Sequence, residues 1–367
     1  MDPFDQAIAY ALSHEVAWPR DPAADPARWG VHHDDPAPFN RLRGPVYPRG
    51  GVSGVIWQDG REVAAWGEPD RADLTFSVAK TYLALLAGLA HQRGLLPDAN
   101  EPVVARLPGI GFDTPHNRAI TWAHLLEQTS EWEGSCLGVP DQVERNRRVA
   151  HDPKPPTGRK GEARPLQAPG RYWEYNDVRI NQLSLALLHL FGQPLPELFE
   201  QAVLRPIGAG AHWQWLGYDD AWIDLPARDG VAAQRVKSVP GGSHWGAGIS
   251  ISARDQARIG QLLLDGGRHG AQQLVPAHWV ARMSQPGPVA PFYGWLTWLN
   301  SEGRLFAQAS HASWFMIGAG GHYVWLEPEQ RAVVVVRWLD GAHAPGFVDR
   351  VAQALRSTGQ PGRAVSP

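Results

Sequence analysis

Ser77 and Lys80 are the residues whose types and spacing point most directly to chemistry. They lie in Phe76-Ser77-Val78-Ala79-Lys80, at the head of a long apolar run. Residues three apart lie on nearly the same face of a helix. A serine in the first turn and a lysine one turn on can therefore address one cleft. The helix N-terminus adds partial positive charge and free backbone N–H groups. A serine hydroxyl alone is a weak nucleophile and needs a base within hydrogen-bond reach. A lysine can be that base when burial lowers its pKa towards neutrality. With 16 serines and four lysines in 367 residues, chance supplies about 0.2 such pairs, and one occurs. An unpaired ammonium in so apolar a run costs free energy. The alternative is a lysine that snorkels out of an amphipathic helix.

The surrounding pattern shows what must hold such a pair. Residues 4–15 have helical spacing, and 16–48, rich in Pro, Asp and Arg, read as an irregular arm. Strands at 52–57 and 62–66 flank Asp59-Gly60, the turn of a β-hairpin. A helix over 77–93 stops at Gly94. To about residue 235 the pattern is mostly helical, with helices at 122–128, 178–190 and 196–204. The Pro/Gly/charged loop 151–170 between them is long enough to be functional or mobile. Residues 246–252 lead as a strand or turn into a helix at 253–265, followed by another at 276–283. Strands follow at 293–299, 305–309, 314–317, 323–326 and 332–338, and a helix at 347–356 closes the chain. The expected class is α/β (more strictly α+β): an antiparallel sheet built from both ends of the chain, flanked by helices, with a mainly helical lobe inserted. The expected division is a sheet lobe of residues 1–75 and 240–367 and a helical lobe of 76–239, together one catalytic domain.

Bulk properties exclude several classes of function. The chain is 43% hydrophobic and 19% charged, the composition of a folded protein. A net charge of −3 and a pI of about 6.6, with no basic stripe, argue against a nucleic-acid partner. One cysteine, Cys136, excludes an intramolecular disulfide. The N-terminus has no basic segment followed by an apolar run, and no stretch has the length of a membrane span. The expectation is a cytoplasmic protein without a membrane partner. His32-His33-Asp34-Asp35 has metal-ligating residue types but no recognisable metal spacing, so no metal is expected there. Neither a Gly-x-Ser-x-Gly elbow nor a phosphate-binding glycine motif is present. Seventeen tryptophans either pack the core and surface or wall a cleft.

Further along, Pro169-Gly170-Arg171-Tyr172-Trp173-Glu174-Tyr175-Asn176-Asp177 precedes the helix at 178. Ser-x-x-Lys about a hundred residues ahead of such a segment resembles the β-lactamase/penicillin-binding-protein superfamily. That superfamily includes class C β-lactamases, family VIII carboxylesterases, D-alanyl-D-alanine peptidases and nylon-oligomer (6-aminohexanoate-dimer) hydrolases. Leu125–Ser130, Gly246–Gly260 and Trp325–Glu329 with Val333–Val336 resemble further segments of it in the same order. The resemblance covers about residues 45–340 and implies a β-lactamase-like fold. It makes Tyr175 the second catalytic residue, a phenol that takes the Ser77 proton and passes it to the leaving group. Whether Tyr175 or Lys80 is the formal base stays open. It also implies an oxyanion hole of two backbone N–H groups, those of Ser77 and Ala319, with Gly318 and its neighbours at a strand edge.

The sequence departs from the superfamily twice. Asp177 stands where Asn is usual; it either brings a charge to Lys80, which favours Tyr175 as base, or caps the following helix. Met316-Ile317-Gly318 stands where β-lactamases have Lys-Thr-Gly, so the lysine that holds a substrate carboxylate is absent and β-lactamase activity should be weak. Trp132, in Glu131-Trp132-Glu133, and His244 fall where loops of the superfamily reach the cleft. Trp132 with its neighbours, Asp177 and Gly318 are expected to bind substrate, and His244 to line the leaving-group side. The function implied is a cofactor-free serine hydrolase that cleaves a small ester or non-peptide amide through an acyl-Ser77 intermediate. The alternatives are an acyltransferase on the same machinery and a slow-turnover, penicillin-receptor-like binding protein. The partner expected is the small substrate, with a homodimer as a further possibility.

Overall fold

The computed structural model describes residues 3–155, 157–228 and 232–358. Its main sheet has six antiparallel strands in the order Trp298–Leu299, Trp314–Gly318, His322–Glu327, Ala332–Arg337, Ser53–Gln58 and Arg61–Trp66. The hairpin of the early chain thus pairs with the last strand, Ser53 opposite Arg337 and Gln58 opposite Ala332. Both turn residues of that hairpin, Asp59 (φ 50°) and Gly60 (φ 74°), adopt the positive φ that a tight two-residue connection needs.

All six residues of Ala332–Arg337 are buried, so the sheet is covered on both faces. Val333 meets the helix Ala253–Leu264, where a Cβ on Gly260 would come within 2.5 Å of Val333 Cγ1. Gly54 pairs with both Val336 and Trp66, which puts Trp66 on the opposite face. There Trp66 packs on Phe347 of the terminal helix Ala344–Thr358. Asp5–Leu12, the first helix, joins this layer, and Tyr10 Oη lies 2.9 Å from His343 Nδ1.

The segment between the hairpin and the later strands carries the helices Ala79–Gln92, Trp122–Leu126, Asp177–Phe191 and Leu195–Phe199, the last running on through wide π turns to Leu204. In the first of these, residues 79–90 are all buried, as expected for a helix apolar on every side. A small sheet joins Asp73–Leu74, Gly248–Ile251 and Gln214–Leu216, and so ties the start and end of this segment together. No helix of the described residues is long and apolar enough to cross a membrane.

Two expected strands differ. No strand forms over 305–309, because the buried Asn300 side chain satisfies that backbone locally. It accepts from the N–H groups of Leu305 and Phe306 at 3.0 and 2.9 Å and donates to the carbonyls of Phe306, Ala309 and Ser310. Of 293–299 only Trp298–Leu299 pairs in the sheet. The rest is held by the helical region: Leu296 N donates to Leu126 O at 2.9 Å and Trp295 N to Met283 O at 3.2 Å.

Candidate active site

Ser77 lies in a short 3-10 turn, Phe76–Val78, that runs directly into the Ala79–Gln92 helix. Phe76 has φ 52°, a left-handed conformation that costs a bulky residue about 1–3 kcal/mol. Its ring is wedged among Trp18, Trp29, His322 and Trp338 at centroid distances of 5.4–6.2 Å, which holds the turn in place. Against the turn runs the end of the strand Trp314–Gly318. A Cβ on Gly318 would stand 2.2 Å from Thr75 O and 3.3 Å from Ser77 N, so only glycine allows this approach. Ala319 follows at once, and both residues line the cleft beside Ser77 and Tyr175.

Lys80, fully buried one turn on, donates from Nζ to Ser77 Oγ at 2.7 Å. Its ammonium also lies 4.7 Å from the centre of the Tyr175 ring. The Tyr175 hydroxyl interacts with Ser77, and its ring stacks on Trp298 at 5.8 Å. The backbone at Gly242 closes over this group: a Cβ there would lie 3.0 Å from Lys80 Nζ and 3.5 Å from Ser77 Oγ. Burial pulls Lys80 below its ordinary pKa, against the support of Asp177. Burial and the Asp177 charge push the Tyr175 phenol up, although Arg147 and Ser77 oppose this. Asp177 thus acts in both directions: it brings the expected charge to Lys80 and favours its ammonium form, and it disfavours a phenolate at Tyr175.

Behind the pair lies a buried charge network. Asp177 pairs with Lys80, with Arg147 NH1 at 2.5 Å and with His244 Nδ1 at 3.2 Å. Glu144 pairs with Arg147 and, at 3.0 Å, with Lys160 Nζ. Asp35 contacts Lys160, accepts from Trp245 Nε1 at 2.7 Å and lies 2.8 Å from His244 Nε2. Burial opposes ionisation of both Glu144 and Asp177. It is outweighed for Glu144 by Arg147, His244 and Lys160, which hold it at about 2, and for Asp177 by Arg147 and Lys80, which hold it well below the carboxylate range. His244 is lowered by burial but raised more by Glu144, Asp177 and Asp35, so its pKa ends above the ordinary value. Ligand atoms of Asp35, Glu144 and His244 lie within 4.8 Å of one another. The Lys160 ammonium contacts both carboxylates, and so occupies the position a metal cation would take.

The cleft has a volume of about 360 Å³. Trp18 and Val31 of the arm, Arg147–Ala150, Lys160 of the long loop, and Trp298, Ile317 and Tyr323 of the sheet form its walls. A second cavity, about 430 Å³ and lined by residues such as Arg71, His212 and Trp213, is larger but contains none of the reactive side chains. The structure brings Ser77, Lys80, Tyr175, Gly318 and Ala319 together. Three expected substrate contacts lie elsewhere. Trp132 is 1% exposed and donates from Nε1 to Gly111 O at 2.8 Å, because Glu131 beside it is drawn inward by Arg164 and Arg179. His244 lies under the site with both ring nitrogens against carboxylates. Asp177 is a buried partner of Lys80, and the cap of its helix is Asn176, whose side chain accepts from Val178 N at 3.0 Å. Sequence reasoning missed Asp35, Glu144, Arg147 and Lys160. The one available signal was the scarcity of lysine: two of only four, Lys80 and Lys160, belong to the charge network.

Among curated proteins none matches the chain. Solved structures do resemble it. EstCE1, a hydrolase with promiscuous acyltransferase activity, superposes with a TM-score of 0.58 at 17% identity, over 83% of this chain and 93% of that one. A family VIII carboxylesterase gives 0.57 at 19% identity over 83% and 92%. The class C β-lactamase of Rhodobacter sphaeroides gives 0.54 at 17% identity over 86% and 95%. At these identities the likeness establishes the fold alone. The family model described as beta-lactamase matches residues 39–357, nearly the whole chain, and the protein belongs to the beta-lactamase family.

Proposed function

We propose that this protein is a serine hydrolase that cleaves a small ester or non-peptide amide through an acyl-Ser77 intermediate. The observation that carries the reading is the convergence of Lys80 Nζ, at 2.7 Å, and the Tyr175 hydroxyl on Ser77 Oγ, at the mouth of a cleft. Lys80 in its neutral form takes the Ser77 proton as Oγ attacks the carbonyl carbon. The resulting ammonium is held by Asp177. Tyr175, kept as a neutral phenol, gives its proton to the leaving group and is reprotonated by Lys80. The N–H groups of Ser77 and Ala319 hold the oxyanion, as the tight seat of Gly318 on the Ser77 turn supports. A water molecule then attacks the acyl carbon, and the proton relay runs in reverse.

Met316 is buried and Ile317 presents an apolar side chain to the cleft, which supports weak β-lactamase activity. Acyl transfer, with an alcohol or amine in place of water, is a second reading, favoured by the likeness to EstCE1. The division into a sheet lobe (1–75, 240–367) and a helical lobe (76–239), a homodimer and a cytoplasmic location belong to the same proposal. The test is burst kinetics with p-nitrophenyl acetate and butyrate, with nitrocefin alongside and intact-mass detection of the acyl-enzyme. Turnover that vanishes in Ser77→Ala, with little loss of nitrocefin, is expected. A wild type that shows no turnover and no mass shift would overturn the mechanism.

A further inference from the structure

Four charged residues line the cleft: Asp34, Arg147, Arg148 and Lys160. Two of the cations are already neutralised. Arg147 is bound by Glu144 and Asp177, and Lys160 by Asp35 and Glu144. Arg148 differs. Among the described residues it has no carboxylate partner, and its guanidinium is tied only to the backbone carbonyls of Lys154 and Asp152. Those two bonds orient the planar group and leave its remaining N–H donors free, the arrangement suited to a bidentate anion. The position where β-lactamases have their carboxylate-binding lysine is apolar here, since Met316 is buried and Ile317 faces the cleft.

We propose that Arg148 is the specificity-determining residue of the site and that it selects substrates whose acyl group ends in a carboxylate. The proposal rests on the acyl-Ser77 reading. Arg148 thereby supplies the cationic contact that the strand lacks. Asp34, the one unpaired carboxylate on the wall, lies on the arm next to Asp35, which is bound to Lys160. Anion selection at Arg148 and cation selection at Asp34 make opposite forecasts, and substrate charge separates them.

The experiment uses the full chain with three series of p-nitrophenyl esters of matched acyl length, ending in a methyl, a carboxylate or an ammonium group. The wild type should show the highest kcat/KM on one of the carboxylate-ended esters. In Arg148→Gln the ratio of kcat/KM, carboxylate-ended over methyl-ended, should fall at least tenfold, mainly through KM. Arg148→Lys should keep most of the ratio, and Arg148→Glu should invert it towards the ammonium-ended ester. A ratio that does not change in Arg148→Gln overturns the proposal. So does a wild-type preference for the ammonium-ended series that is lost in Asp34→Asn. Ser77-dependent turnover with no charge preference leaves the hydrolase reading standing and removes this one. Absence of turnover on every ester removes both.

Discussion

Asp177 divides its carboxylate between two cations: Oδ1 faces Lys80 Nζ, and Oδ2 lies 2.5 Å from Arg147 NH1. The same charge that stabilises the Lys80 ammonium raises the Tyr175 phenol. Removing it with Asp177→Asn should therefore lower the pKa of Lys80 further. The neutral base is then present at lower pH, so the acid limb of the kcat/KM profile for p-nitrophenyl butyrate should move to lower pH. Breaking a buried ion pair should also cost about 3 kcal/mol of stability, readable as a lower denaturant midpoint. An acid limb that stays in place or moves up would show that Lys80 is not the titrating base.

Gly242 and Gly318 both approach the Ser77–Lys80 pair, and the structure separates their roles. A Cβ on Gly242 would meet the end of the Lys80 side chain at 3.0 Å, an atom that can shift. Gly242→Ala should fold with little loss of stability yet lose about 10–100-fold in kcat, since roughly an ångström of misplacement is costly in catalysis. A Cβ on Gly318 would meet the Thr75 carbonyl at 2.2 Å, which is backbone and cannot yield without moving the Ser77 turn. Gly318→Ala should lose both activity and about 2 kcal/mol or more of stability. Melting curves alongside steady-state kinetics test the pair, and equal stability losses in the two variants would contradict the distinction.

What the sequence revealed and what it hid follow a physical line. Ser77 and Lys80 were legible because i, i+3 spacing on a helix is a local property, and the Asp59-Gly60 hairpin because turn chemistry is local too. Tyr175 was legible through an ordered segment that the family shares. The charge network was not. Asp35, Glu144, Lys160 and His244 come from irregular stretches up to 209 residues apart, with no periodicity to betray which face they share. Trp132 looked like a cleft residue because loops of the superfamily reach the cleft at that point in the chain, but Arg164 and Arg179 draw Glu131 into the interior and the tryptophan follows. The strand expected at 305–309 failed for a similar reason: one buried side chain, Asn300, replaces a ladder of backbone bonds.

Lys160 occupies the centre of a ready donor set, and its removal makes a specific forecast. Lys160→Ala leaves Asp35 and Glu144 as buried carboxylates with one cation fewer, which should destabilise the protein by about 3 kcal/mol. The oxygen and nitrogen atoms of Asp35, Glu144 and His244 lie within 4.8 Å of one another, a spacing that a zinc ion can bridge. Zinc should therefore raise the melting temperature of Lys160→Ala in a concentration-dependent way and leave the wild type unmoved, because a ligand that binds only the folded state stabilises it by mass action. If zinc moves both proteins equally, the ammonium is not what fills the site.

The same carboxylates govern behaviour in acid. Glu144 has an ordinary value of 4.5 and is held at about 2 in the folded protein, where Arg147, His244 and Lys160 outweigh the opposing effect of burial. A depressed folded-state pKa means that the unfolded chain binds the proton first as pH falls. The contribution of Glu144 to stability is therefore complete above pH 4.5. It is lost progressively between pH 4.5 and about 2, and Asp177, lowered in the same direction, extends the loss to lower pH. Urea midpoints should fall steeply below about pH 4.5. In Glu144→Gln the midpoint should be lower at pH 7, because Arg147 and Lys160 each lose a partner, but it should fall less steeply below pH 4.5. Parallel slopes for the two proteins in that window would mean that Glu144 keeps its ordinary pKa after folding and that the network does not hold it ionised.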